Sequence, residues 1–166
     1  MEQLSIFGSP SVSKVATWKL FIDGAARNNP GPAGAGIVIK KEDVIMQEAG
    51  FYLGRRTNNQ AEYLALLLGL FLSKKLMKLN DRLIIISDSQ LLVRQLKGVY
   101  KVKDAQLKKL FDMAKQLLTG VSCQVHHVMR EDNTEADAMA NKGIDTKHAV
   151  PEAFVQLLET HQIEWQ

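Results

Sequence analysis

Residues 83–87, Leu-Ile-Ile-Ile-Ser, begin with four apolar residues in a row, and so short an unbroken run is the pattern of a parallel strand covered on both faces. Such a strand needs packed layers above and below it. Upstream, Trp18, Leu20 and Ile22 alternate with Lys19, Phe21 and Asp23, the period of a strand that ends at an acidic residue. A Gly/Pro-rich turn follows, and 35–40 and 44–53 read as two more strands, which predicts a three-strand antiparallel meander. Residues 58–77 read as a Leu-rich helix capped by Thr57 or Asn58. Residues 89–96 and 104–118 read as helices, 121–128 as a strand, and 132–141 as a helix opened by the capping box Asp132-x-x-Glu135. The expected fold is an α/β domain. Its five-stranded mixed sheet has three antiparallel strands, then strand–helix alternation, with helices on both faces.

At 166 residues the chain has the size of one domain, with room for one sizeable core. Residues 1–16, with Gly8, Ser9, Pro10, Ser11 and Ser13, read as a flexible arm. The main domain spans 17–146, and 147–166 form a tail in which Phe154, Leu157 and Leu158 share one helical face. No apolar stretch approaches the ~20 residues of a bilayer span and no secretion signal opens the chain, so no membrane partner is expected and the expected location is the cytoplasm. The single cysteine, Cys123, excludes an internal disulfide and suits a reducing compartment. A monomer is expected. The net charge of +3 leans mildly toward polyanionic partners.

Four acids stand where such a sheet builds its ligand sites. Asp23 ends the first strand, Asp88 follows the apolar strand, and Asp137 lies in the first turns of a helix. Glu62 lies one turn after Asn58, so a carboxylate and an amide point from one helix face. Clustered carboxylates about 4 Å apart repel by roughly 1 to 4 kcal/mol per pair, so a cation must balance them. Oxygen-only ligands suit Mg²⁺ or Mn²⁺, and a pair of such ions performs phosphoryl transfer.

Four segments carry a resemblance: Phe-Ile-Asp-Gly-Ala-Ala-x-Asn-Asn-Pro-Gly-Pro-Ala-Gly-Ala-Gly at 21–36, Thr-Asn-Asn-Gln-Ala-Glu-Tyr at 57–63, Ser-Asp-Ser-Gln at 87–90, and Val-x-Arg-Glu-Asp-Asn-Thr-Glu-Ala-Asp-Ala-Met-Ala-Asn at 128–141. In order and spacing they resemble type 1 ribonuclease H over about residues 17–143. The resemblance implies a nuclease that hydrolyses the RNA strand of RNA/DNA hybrids by a two-metal mechanism. It implies that Asp23, Glu62, Asp88 and Asp137 are the catalytic and metal-binding acids, holding two Mg²⁺ ions, with Mn²⁺ able to substitute. Asn29, Asn58 and Gln90 fall on positions that touch the hybrid's minor groove, and Gly24 on one where backbone approaches the RNA strand.

The chain departs from many relatives in two places. It has no His on the loop ahead of Asp137, where Arg130 is the expected replacement at the scissile phosphate and His148 a weaker candidate. His126 and His127 lie inside the predicted strand and are read as core or surface residues. There is also no room for a protruding basic helix, and Lys97, Lys101, Lys103, Lys108 and Lys109 are the cations nearest its place. Gln3-Leu4-Ser5-Ile6-Phe7 resembles the peptide by which bacterial replication proteins dock on the DNA sliding clamp, which makes Gln3, Leu4 and Phe7 candidate partner-binding residues.

Overall fold

β1 (Thr17–Ala26), β2 (Gly31–Lys41) and β3 (Val44–Arg56) form an antiparallel meander, and β4 (Arg82–Ser87) and β5 (Ser122–His127) extend it in parallel. The computed structural model describes residues 14–165. The candidate clamp peptide, residues 3–7, lies outside them. The sheet order is β3-β2-β1-β4-β5. The strands of the meander are longer than the alternation predicts. β1 continues past Asp23 because Ala25 and Ala26 stay paired with Gly34 and Ala33, so most of the Gly/Pro-rich segment is strand and the turn shrinks to 27–30.

The helices are α1 (Asn58–Leu76), α2 (Gln90–Leu96), α3 (Ala105–Leu117), α4 (Thr134–Thr146) and α5 (Glu152–Thr160). Thr57 caps α1 through a capping box with Gln60. Ser89 and Asp104 cap α2 and α3 by accepting from backbone N–H groups, which satisfies donors that have no partner within the helix. α1 is buried at every position from Ala61 to Leu70, as expected of a helix apolar all round and enclosed on all sides. It packs on Leu20 and Ile22 of β1.

α4 covers the opposite face. A Cβ on Gly36 would lie 1.9 Å from the Ala136 carbonyl oxygen, and one on Gly34 would lie 2.2 Å from that of Ala140. The two glycines therefore let α4 sit directly on β2. The predicted start of this helix is corrected. Arg130–Asp132 form a 3₁₀ turn, α4 begins at Thr134 and runs on to Thr146, and Asn133 takes the N-cap place without a side-chain cap bond. The tighter turn takes up Asp132, so the box with Glu135 does not form.

In the tail, Phe154 and Leu158 of α5 are fully buried. Phe154 meets Phe71 of α1 edge-on, with ring centroids 5.6 Å apart. Among the described residues no helix is long and apolar enough to cross a membrane.

Candidate active site

Strand β1, the first turns of α1 and the turn after β4 bring the acids together. Asp23 sits on β1 opposite Gly36, on the face that α4 covers, and only 7% of its surface is exposed. Glu62, one turn into α1, is 8% exposed. It reaches β1 because a Cβ on Gly24 would lie 2.2 Å from the Ala61 carbonyl carbon, an approach that only glycine allows. The Gly24 N–H donates to the Glu62 carboxylate. Asp88 projects from the turn after β4. That turn is held by Ser87 Oγ, which accepts from Ser89 N at 3.0 Å, and by Ser89 Oγ, which accepts from Leu92 N at 3.2 Å. One carboxylate oxygen from each of Asp23, Glu62 and Asp88 lies within 4.8 Å of the others. Asp137 is not part of this trio, but it lies near enough to the Asp23 carboxyl to help raise its pKa.

Burial raises the Asp23 carboxyl far above the usual range, and the Glu62 and Asp88 charges push it further. Burial likewise raises Glu62, against the opposing hydrogen bond from Gly24. Neither acid has a Lys or Arg partner in an ion pair among the described residues. The fold thus buries acids in contact with acids, so the cluster holds protons or a cation. With carboxylate oxygens as the only donors of the group, the fit is to a hard divalent ion.

Two amides border the acids with their orientation set. Asn29 Oδ1 accepts from Asn58 N at 3.0 Å, and Asn58 Oδ1 accepts from Ala26 N at 3.1 Å. With both oxygens engaged, both NH₂ groups are left to donate to a ligand. Gln90 is exposed at the start of α2, two residues after Asp88.

Arg130 is exposed on the 3₁₀ turn and makes no ion pair among the described residues. His148 is placed elsewhere. Its Nδ1 lies 2.8 Å from the Gly50 carbonyl and its ring stacks on Phe51, on β3, which β2 separates from β1. That contact seats His148 on β3. His127 is a surface histidine, as expected, and it lies against the backbone of Asp88. It pairs with Ser87 across β4 and β5, and its Nε2 lies 3.3 Å from the Asp88 carbonyl. Strand register decides this, and periodicity within one strand does not report register. Asn133 also enters the site, 2% exposed, with Nδ2 on the Ile22 carbonyl at 2.9 Å. It lies in the 128–141 segment that carries the resemblance, but nothing local to it in the sequence marks it as a site residue.

Residues 21–143 match the family model described as reverse transcriptase-like. The ribonuclease HI of Halobacterium salinarum is 39% identical over 127 residues, covering 75% of this chain and 63% of that protein. The bifunctional protein Rv2228c of Mycobacterium tuberculosis is also 39% identical, and there the match covers 74% of this chain but 34% of the relative. The chain thus spans less than two thirds of the length of these curated relatives. The crystal structure of LC11-RNase H1 in complex with an RNA/DNA hybrid superposes with a TM-score of 0.75 at 36% identity, over 78% of this chain and 97% of that one.

Proposed function

This chain belongs to the ribonuclease H family, alongside its type 1 members, and on that premise we propose that it is an endonuclease hydrolysing the RNA strand of RNA/DNA hybrids to 5′-phosphate and 3′-hydroxyl ends. The observation that carries this reading is the trio of buried Asp23, buried Glu62 and half-buried Asp88, set beside two amides whose oxygens are engaged and whose donors are free.

Asp23, Glu62, Asp88 and Asp137 would hold two Mg²⁺ ions, or Mn²⁺ in their place. Such a pair supplies the Lewis acidity that activates an attacking water and stabilises the leaving oxygen. The chain's own groups do the positioning. An RNA/DNA hybrid presents 2′-hydroxyls and base-edge acceptors in a wide, shallow minor groove. The Asn29 and Asn58 NH₂ groups and the Gln90 amide meet it there without a base code, and Gly24 lets the β1 backbone approach the RNA strand. The Arg130 guanidinium, free on the turn before α4, holds the scissile phosphate by charge-assisted hydrogen bonds. The exposed lysines at 97, 101 and 103 contribute phosphate contacts that weaken as salt rises.

Labelled hybrid, double-stranded RNA and single-stranded RNA, incubated side by side with and without Mg²⁺ or Mn²⁺, test the reading. Only the RNA strand of the hybrid should be cut, and only with metal. Products ending in a 2′,3′-cyclic phosphate would remove the metal mechanism. The same reading extends to recruitment through residues 3–7: titration with a bacterial sliding clamp should show binding that the Leu4→Ala/Phe7→Ala double variant loses, with cleavage of free hybrids unchanged.

A further inference from the structure

We infer that Asn133 is a positioning residue that sets the Asp88 carboxylate and the start of α4 against β1, so that the four acids close on a divalent cation; this rests on the cation-binding reading above. Its Nδ2 donates to the Ile22 carbonyl at 2.9 Å and lies 3.5 Å from Asp88 Oδ2. Both neighbours are acceptors, so the amide has one workable orientation; turned over, it would press its oxygen on two others. Ile22 is the residue before Asp23. The Asn133 carbonyl accepts from Asp137 N at 3.1 Å, the first hydrogen bond of the helix that carries Asp137. One side chain and its carbonyl thus connect the backbone beside Asp23, the carboxylate of Asp88 and the backbone of Asp137.

The remaining atom of the amide supports this role. Asn133 Oδ1 is buried with no hydrogen-bond partner, and it does not cap α4. An asparagine retained only as a helix cap would use that oxygen on the N–H groups of the first turn. Here the nitrogen is engaged and the oxygen is left out. The side chain is therefore oriented by the Ile22 carbonyl and Asp88, and not by the helix it precedes. Groups that orient metal-holding side chains typically change metal affinity or activity by 10–100-fold when removed.

The test is calorimetric titration of substrate-free protein with Mn²⁺ and with Mg²⁺, comparing wild type, Asn133→Ala, Asn133→Ser and Asp23→Asn. Serine keeps an N-cap residue but is too short to reach Asp88. Wild type should bind, and Asp23→Asn should not. Both Asn133 variants should bind roughly 10–100-fold more weakly, with the metal half-saturation of hybrid cleavage raised in step and the KM for hybrid unchanged. Absence of binding to wild type would overturn the cation-binding reading itself. Binding by folded Asn133 variants within twofold of wild type would overturn the positioning role alone and leave Asn133 a structural residue. A measurement on wild type needs no variant to fold: the Asn133 side-chain NH₂ resonances should shift with Mg²⁺ at the calorimetric half-saturation. Resonances that stay in place would overturn the proposal.

Discussion

Each end of the sheet buries a carboxylate, and the two are treated in opposite ways. Asp81, before β4, is 6% exposed and accepts from Ala16 N at 3.0 Å, Trp18 Nε1 at 2.9 Å and Lys78 N at 2.9 Å. Burial alone would raise its pKa, but these donors hold it below the ordinary carboxylate value. Asp23, six residues along β1 and roughly 20 Å away at strand rise, is 7% exposed and faces Glu62, Asp88 and Asp137. Equal burial therefore does not mean equal purpose. The charge at Asp81 is satisfied by the chain itself and fastens the start of β1 to β4. The charge at Asp23 is left for something the chain does not supply.

The sharpest way to break this contrast is to neutralise each acid. Asp23→Asn should lower cleavage of hybrid by at least about 10³-fold, on the order of 4 kcal/mol of transition-state stabilisation, while the metal-free protein melts at a higher temperature because carboxylate repulsion is relieved. Appreciable turnover by the purified variant would end the assignment. Asp81→Ala should do the reverse. It strands three donors, costs about 3 kcal/mol and lowers Tm by roughly 6–12 °C, yet leaves kcat on hybrid within about twofold at a temperature where the variant is folded. A variant with wild-type Tm would mean that the network contributes nothing.

A pH scan sharpens the same comparison without mutation. A carboxyl whose folded pKa is raised binds a proton in the folded chain that the unfolded chain has released. The stability it contributes is fully present below about pH 4 and is lost as pH rises through the folded value. With Glu62 raised to about 8 and Asp23 to about 9, the metal-free Tm should fall as pH rises from about 4 through those values, and Mg²⁺ should flatten the decline. Asp81, with its pKa lowered, acts oppositely: its contribution is present above about pH 4 and lost on acidification below it. A metal-free Tm that climbs through neutrality would contradict the picture of an uncompensated cluster. The smallest effect is expected at the rim. Arg130→Ala should slow kcat by about tenfold with little change in KM, the pattern of an interaction made in the transition state; a change in KM alone would make Arg130 a backbone contact.

Much of this was legible in the chain before folding. Asp23 stood at the end of an alternating segment, Asp88 after an apolar run, and Glu62 one turn beyond a cap, so the elements and their acids could be read from residues a few positions apart. Where local signals competed, reading them failed. Asp132 and Glu135 have capping-box spacing, yet the 3₁₀ turn at Arg130–Asp132 takes the first of them and starts α4 at Thr134. His148 and His127 look alike as exposed histidines, but one is held on Phe51 and the other lies beside Asp88.

What the sequence by itself determined were the strands, the helices, the apolar faces and the identity of the acids, because periodicity and capping act between near neighbours along the chain. What only the tertiary structure decided was which of these groups meet. Gly24 is 38 residues from Glu62, and Asn133 is 111 from Ile22. The glycine contacts that bring α1 and α4 down on the sheet, and the β4–β5 register that sets His127 beside Asp88, likewise join distant segments. Such contacts exist only once close packing has chosen one arrangement of the elements, and no local pattern in the chain records that choice.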